Sequence, residues 1–378
     1  MFIELHLIQN FAPSNLNRDD TGNPKDCEFG GHRRARISSQ ALKRALRHEP
    51  VFAQTTQAEN GERSKWMSRP LKKALIAAGK DEEQAKSVAV AFVNAYAAGS
   101  DKKKPERSNV LIYFSQEEIE DAVNGLLADW DDAVSAAQEG SSLPGLVKKL
   151  QKATQERTSA PDIALFGRML AEKPTLNIDA ACQVSHAIST HRVTMEMDYY
   201  TAVDDLQESS DEEGVGAGMV GFTNFNSACF YRYARIDWRQ LVKNLNDDVG
   251  LARRTVEGFL RAALDAIPTG KQNSFAAQNP TSLALATVRQ DGRSWNLANA
   301  FEEPVRPRRD TGLIRPSIES LDTYWGDLIR RRDDAEFESV AVYTDAEKHA
   351  QALKELAGYH QPTLSAWINV LNAALPEE

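Results

Sequence analysis

Alternation opens the chain. Ile3, Leu5 and Leu7 stand apolar against more polar neighbours, the period-two signature of a strand over about residues 2–9. The period then lengthens: Ala41, Leu42, Ala45 and Leu46 recur at helical spacing, and Ser38-Ser39 before them offers an N-cap. Residues 55–180 read mainly as helices, one over 81–98 and another after Ser115, where Ser115 and Glu118 have the spacing of a capping box. A short strand is expected at 110–114. Strand character returns over 183–200 and 227–238, followed by a helix at 251–267 and a strand at 283–288. This order predicts an α+β protein, a β-α-β-β-α-β ferredoxin-like core interrupted by a helical insertion. Tyr324-Trp325 and Trp367-Ile368 mark further helices near the C-terminus.

Between the two middle strands lies Asp204-Asp205-Leu206-Gln207-Glu208-Ser209-Ser210-Asp211-Glu212-Glu213, with Gly214, Gly216, Gly218 and Gly221 after it. An acidic, glycine-rich stretch between strands reads as the solvated tip of a projecting hairpin rather than a metal site.

The 378 residues are 42% hydrophobic and 26% charged, ordinary for a water-soluble protein, and no apolar run has the length of a membrane span. The opening segment carries Glu4 inside its apolar run, which suits a strand and not a secretory leader. Cys27, Cys182 and Cys229 lack any C-x-x-C pairing and read as reduced packing residues of a cytoplasmic protein. His186 and His191 read as ordinary core or edge residues. No catalytic residue, metal ligand or cofactor is expected from these patterns.

A net charge of −9 argues against an anionic partner until the distribution is considered. From Phe29 to His48 the chain carries Arg33, Arg34, Arg36, Lys43, Arg44 and Arg47 without one carboxylate, and Arg18 and Lys25 lie just upstream. Gly30-Gly31 would permit close approach of a ligand to the backbone. Gln40, Lys43 and Arg47 share one helix face. Serine hydroxyls at the mouth of that helix and a cationic stripe along it describe a groove for a phosphate backbone. Lys271-Gln272 in a turn-rich segment, Arg306, Arg308, Arg309 and Arg315 among prolines, and Arg63, Lys65, Arg69, Lys72 and Lys73 ahead of a helix could each extend it, although each group taken singly reads as solvated surface.

Several ordered segments resemble a known family: Leu16-Asn17-Arg18-Asp19-Asp20, Phe29-Gly30-Gly31, the run from Arg33 to Ala45, Thr201 to Glu208, Phe230-Tyr231-Arg232-Tyr233-Ala234, Lys271-Gln272 and Ala298-Asn299-Ala300-Phe301-Glu302. They resemble the CasC (Cse4) family, backbone subunits of the type I-E CRISPR Cascade complex. The resemblance implies a modified RNA-recognition-motif palm (1–55, 182–192 and 227–378, the last with C-terminal helices), helical fingers (56–181) and a β-hairpin thumb (193–226). It implies copies assembled head to tail on a CRISPR RNA, which pairs with a target DNA strand, alongside other Cascade subunits and without a membrane. The implied RNA contacts are Arg18, Lys25, Ser38, Gln40, Lys43, Arg44 and Arg47. Met169 would pack on a kinked nucleotide and Tyr199-Tyr200 on the thumb would stack on a base, a Tyr pair where the family pattern has a Trp-containing one. A guide must accept any spacer, so phosphates should be gripped and base edges left free. Two rivals stand beside this reading. One is a metal-dependent endoribonuclease on the same fold using Asp19, Asp20 or Asp26; the other is a protein scaffold without RNA.

Overall fold

A computed structural model describes residues 1–377 apart from 98, 141, 142, 144, 146, 150–156, 203–218, 334 and 335. The chain starts with a long strand β1 (Phe2–Ser14), then a hairpin of β2 (Asp26–Phe29) and β3 (His32–Ile37), and helices α1 (Ser39–His48) and α2 (Pro50–Thr56). An insertion follows: β4 (Glu62–Ser64), α3 (Ser68–Ala77), α4 (Glu82–Tyr96), β5 (Ile112–Phe114), α5 (Gln116–Ala128), α6 (Trp130–Gln138) and α7 (Pro161–Phe166). The expected strand at 183–200 is three pieces, β6 (Cys182–Val184), β7 (Ala187–Ser189) and β8 (Glu196–Ala202). Next come β9 (Met219–Asp237), α8 (Trp238–Asn244), α9 (Val249–Asp265), α10 (Gln272–Phe275) and β10 (Thr281–Arg289). The C-terminal part adds α11 (Ile314–Arg331), β11 (Ser339–Thr344), α12 (Glu347–Ala350), β12 (His360–Gln361) and α13 (Leu364–Ala373).

The main sheet runs β12-β11-β10-β1-β9-β7-β3-β2, with β6 and β8 also paired to β9. Its centre, β10-β1-β9-β6, is antiparallel throughout. With α1 after β1 and α9 after β9, that is the ferredoxin-like connectivity the sequence order predicts. One face of the centre buries Ile3, Leu5, Leu7, Ala234 and Ala286 beneath α1, α2, α9 and α13. The opposite face is covered too: Tyr231, Tyr233, Leu283 and Leu285 pack against Trp295, Phe301 and the α11 residues Ile318, Leu321 and Trp325. Two buried polar side chains of β1 on this second face find partners. Glu4 accepts from the Tyr233 hydroxyl (2.8 Å) and the Trp295 backbone N–H (2.7 Å), and His6 Nδ1 pairs with the Tyr231 hydroxyl at 2.9 Å.

The insertion has its own core, in which Leu71, Leu75, Val88, Phe92, Phe114, Ile119 and Leu126 interlock. Its capping box forms as the spacing predicts: Ser115 Oγ accepts from the Glu118 N–H and Glu118 reaches back to the Ser115 N–H at 2.8 Å. β8 and the first third of β9 pair from Glu196↔Phe225 to Ala202↔Met219 and leave the sheet as a two-stranded ribbon. The acidic stretch from Asp204 to Gly218, expected as its tip, lies outside the described residues; Gly221, expected with it, is on β9. No helix among the described residues is long and apolar enough to cross a membrane.

Candidate nucleic-acid interface

Helix α1 forms as its pattern requires. Ser38 is the N-cap, its Oγ accepting from the Ala41 N–H (3.4 Å) while its own N–H donates to Asn17 Oδ1 (2.8 Å). Leu42 and Leu46 turn into the core. That leaves Gln40, Lys43, Arg44 and Arg47 along one wall of a cleft of about 900 Å³. The opposite wall is the Gly167-Arg168-Met169 turn with Leu111 and Tyr113. Arg168 holds this turn in place. Its backbone exchanges hydrogen bonds with Ile178 (3.0 and 2.9 Å), and its buried guanidinium binds both oxygens of Glu118 and the Leu176 and Tyr113 carbonyls. Met169, next in line, is 85% exposed. Two segments more than a hundred residues apart are thereby brought face to face.

The cations on α1 are not equivalent. Arg44 has no hydrogen bond or ion pair among the described residues, and Lys43 Nζ sits 5.6 Å from the Phe166 ring centre. Arg47 is already engaged: it donates to Asp162 (2.8 Å) and the Gly61 carbonyl (2.9 Å) and lies 4.4 Å above the Tyr113 ring. Its first task is to bolt α1 to the insertion. Burial, then the neighbouring Arg47 and Arg44 guanidiniums, lower the His48 pKa.

β3 corrects two expectations. Arg34 is fully buried and donates to the carbonyls of Phe29, Ser189, Phe301 and Glu302, leaving no guanidinium surface for a phosphate. Gly30 does permit a close approach, but of the protein's own chain: a Cβ there would stand 2.0 Å from the Glu302 carbonyl oxygen. The Phe29-Gly30-Gly31 and Phe301-Glu302 segments are thus two halves of one internal clasp. Arg33 is exposed and ion-paired with Asp26. Arg36 donates to the Asp26 carbonyl (3.1 Å) and to His186 Nδ1 (2.9 Å).

A second recess, about 260 Å³, brings Arg18 and Lys271 together with Met197, Phe222 and Asn224 at the root of the β8–β9 ribbon. Asn15 ties the Arg18 loop to that root, donating to the Gly22 and Asn224 carbonyls at 3.0 and 2.9 Å. Gly270 lets the Lys271 turn reach it, since a Cβ at this position would lie 2.3 Å from the Leu16 carbonyl oxygen. Lys25 is half-buried on the same loop, its N–H bound to the Asn17 carbonyl at 2.9 Å. Because Asn17 also caps Ser38, this recess begins where α1 begins. Gln272 does not join it: its amide donates inward to the Pro268 and Ala277 carbonyls (3.2 and 3.3 Å) and steadies the turn.

On the ribbon, Tyr199 and Tyr200 are 56% and 40% exposed and, as neighbours on a strand, face opposite ways. Tyr199 leans on its cross-strand partner Phe222, ring centres 5.3 Å apart, and Tyr200 lies over Gly221. Two of the three loop aspartates, Asp19 and Asp26, have structural partners. Asp19 accepts from Thr21 Oγ1 (2.8 Å) and from the Asn23 and Thr21 N–H groups (both 2.9 Å), and the Thr21 hydroxyl first, then those amides, lower its pKa. Asp26 is taken by Arg33.

Residue patterns alone did not single out Tyr113, Leu111 or Phe166, which line the cleft. The strand that Leu111 precedes and that holds Tyr113 has three residues and the helix of Phe166 six, too short for periodicity to assign a face.

Comparison with known proteins places the whole chain. A family model described as CT1975-like protein (Cas_CT1975) matches residues 3–370. A solved chain from a "CRISPR RNA-guided surveillance complex, pre-nicking" superposes with a TM-score of 0.84 at 30% identity, covering 100% of both chains. A second, from a "CRISPR RNA-guided surveillance complex", gives a TM-score of 0.74 at 24% identity over 99% of this chain and 100% of that one, a likeness of fold. No curated protein matches. With the family model spanning nearly all of it, the chain belongs to the Cas CT1975-like family.

Proposed function

We propose that this protein is a non-catalytic backbone subunit of a type I-E Cascade-type complex, several copies of which hold one CRISPR RNA for pairing with target DNA. The observation that carries the reading is the cleft in which Gln40, Lys43 and Arg44 face Met169. A cationic helix opposite a projecting thioether suits a strand gripped by its phosphates and bent at one nucleotide. The covered sheet supports the same reading. An RNA-recognition sheet stacks bases on its open face, and here that face lies under α11 and Trp295. Base edges are then left to the target strand.

In this reading the sheet and its helices are the palm, the insertion the fingers and the β8–β9 ribbon the thumb. Arg18, Lys25 and Lys271 bind phosphates at the thumb root, and Tyr199 or Tyr200 meets the kinked nucleotide. Head-to-tail addition of copies gives a filament that follows the guide. Asp19 and Asp26 are engaged by Thr21 and Arg33, which speaks against these two as cleavage residues.

The test is purification of the intact complex and sequencing of its RNA. Guide-length RNA of many unrelated spacers is expected; a complex free of nucleic acid would leave the scaffold reading. Metal-dependent RNA cutting, abolished by chelator and by Asp20→Asn, would establish the endoribonuclease instead.

A further inference from the structure

We infer that Arg63 and Leu111 form a nucleotide seat on the insertion side of the cleft, with Arg63 taking a phosphate of single-stranded RNA and Leu111 covering part of the attached nucleoside. The inference rests on the RNA-binding reading above and extends it from α1 to the opposite wall.

Arg63 sits directly across the β4–β5 ladder from Tyr113, so the two side chains share one face of that hairpin. Both line the cleft. The Tyr113 ring is flanked by Arg47, whose charge is balanced by buried Asp162. Arg63 has no such balance: it is exposed and makes no hydrogen bond or ion pair among the described residues. Arg168, on the same wall, is balanced by Glu118. Unbalanced cations therefore remain on both sides, Lys43 and Arg44 on α1 and Arg63 across from them, against the single carboxylate of Asp179 among the lining residues. Like charges gathered about a cleft repel unless an anion lies between them. Leu111, 43% exposed, stands with Met169 on this wall, so the cleft offers uncovered aliphatic surface next to unneutralised charge. A nucleotide, flat and apolar on one side and anionic on the other, matches both at once.

The experiment compares the full-length protein with Arg63→Gln, Arg63→Lys, Leu111→Ser and, on α1, Lys43→Gln, binding unstructured 30-nucleotide RNAs of unrelated sequence over a salt series. Arg63→Gln should weaken binding three- to tenfold for every sequence and lower the salt slope by roughly 0.7, with Arg63→Lys recovering most of both. Arg69→Gln, on an exposed arginine stacked on Trp66, should change neither. Photo-crosslinking of the unaltered protein to RNA bearing 4-thiouridine should label the peptide that contains Leu111. If Lys43→Gln weakens binding while Arg63→Gln does not, and crosslinks stop at α1 and Met169, the seat is absent although the RNA-binding reading stands. If no variant alters binding, the RNA-binding reading itself falls.

Discussion

Arg168 Nη1 donates to both carboxylate oxygens of Glu118, at 2.8 and 2.9 Å, with each side chain no more than 5% exposed. Glu118 also closes the capping box of α5 and accepts from the Tyr96 hydroxyl at 3.0 Å. One buried pair therefore fixes a helix start in the insertion and the turn that presents Met169. Breaking a buried ion pair strands its partner's charge. Glu118→Gln should destabilise the protein by about 3–5 kcal/mol in chemical denaturation. RNA affinity per folded molecule should fall as well, because the Met169 turn loses its tie.

The two kinds of arginine in the basic segment should separate in experiment. Arg44→Gln should weaken RNA binding equally for unrelated sequences and reduce the salt slope by roughly 0.7, with the melting temperature unmoved. Arg34→Gln should do the reverse: carbonyls left unpaired in the interior cost about 1–3 kcal/mol each, and the salt slope of the folded protein should be unchanged. A salt slope that falls for Arg34→Gln would place this side chain on the RNA.

Gly270→Ala should affect both stability and binding. The new methyl group meets the Leu16 carbonyl oxygen at 2.3 Å, so the turn or the Arg18 loop has to move. Overpacking of this kind costs about 1–3 kcal/mol. Calorimetry should register that loss, and RNA titration should show weaker binding, since Lys271 and Arg18 separate together.

Acid should loosen the fold in a defined window. Burial pushes the His6 imidazole down to about 3 and, together with Arg34, holds His191 down at about 4. The unfolded chain takes up these protons near pH 6.5 and the folded one does not, so the stability is intact above pH 6.5 and declines as pH falls toward 4. Each histidine contributes a slope of about 1.4 kcal/mol per pH unit there. Glu4 acts in the opposite sense: burial raises its pKa, so its protonation favours the folded form. Urea midpoints between pH 7.5 and 5 should therefore flatten in His6→Gln by one proton's worth. An unchanged slope would mean that His6 is protonated in the folded protein.

What could be seen in the sequence was whatever repeats locally. The stripe of Gln40, Lys43 and Arg47 follows from helical period, and the α5 capping box from a spacing of three. The ferredoxin-like connectivity of the central sheet was legible in the order of elements along the chain. Arg34 could not be told from Arg33 in this way, because its burial depends on Phe301 and Glu302, more than 260 residues away. Gly30 was legible as a place of close approach, although not as to what approaches. Arg63 could be read only as one cation among several, because its place opposite Tyr113 is set by pairing with a three-residue strand.

β9 belongs to two structures at once. Residues 219–225 pair with β8 in the ribbon, and from Asn226 to Asp237 the same strand pairs with β1 at the centre of the sheet. A tug on the ribbon is thus transmitted along the axis of β9, across hydrogen bonds that run perpendicular to it and are loaded together instead of unzipping singly. The ribbon is anchored mechanically in shear, the geometry that resists force best. In the proposed assembly, a pull on the ribbon would be borne by the sheet without the ribbon being peeled from it.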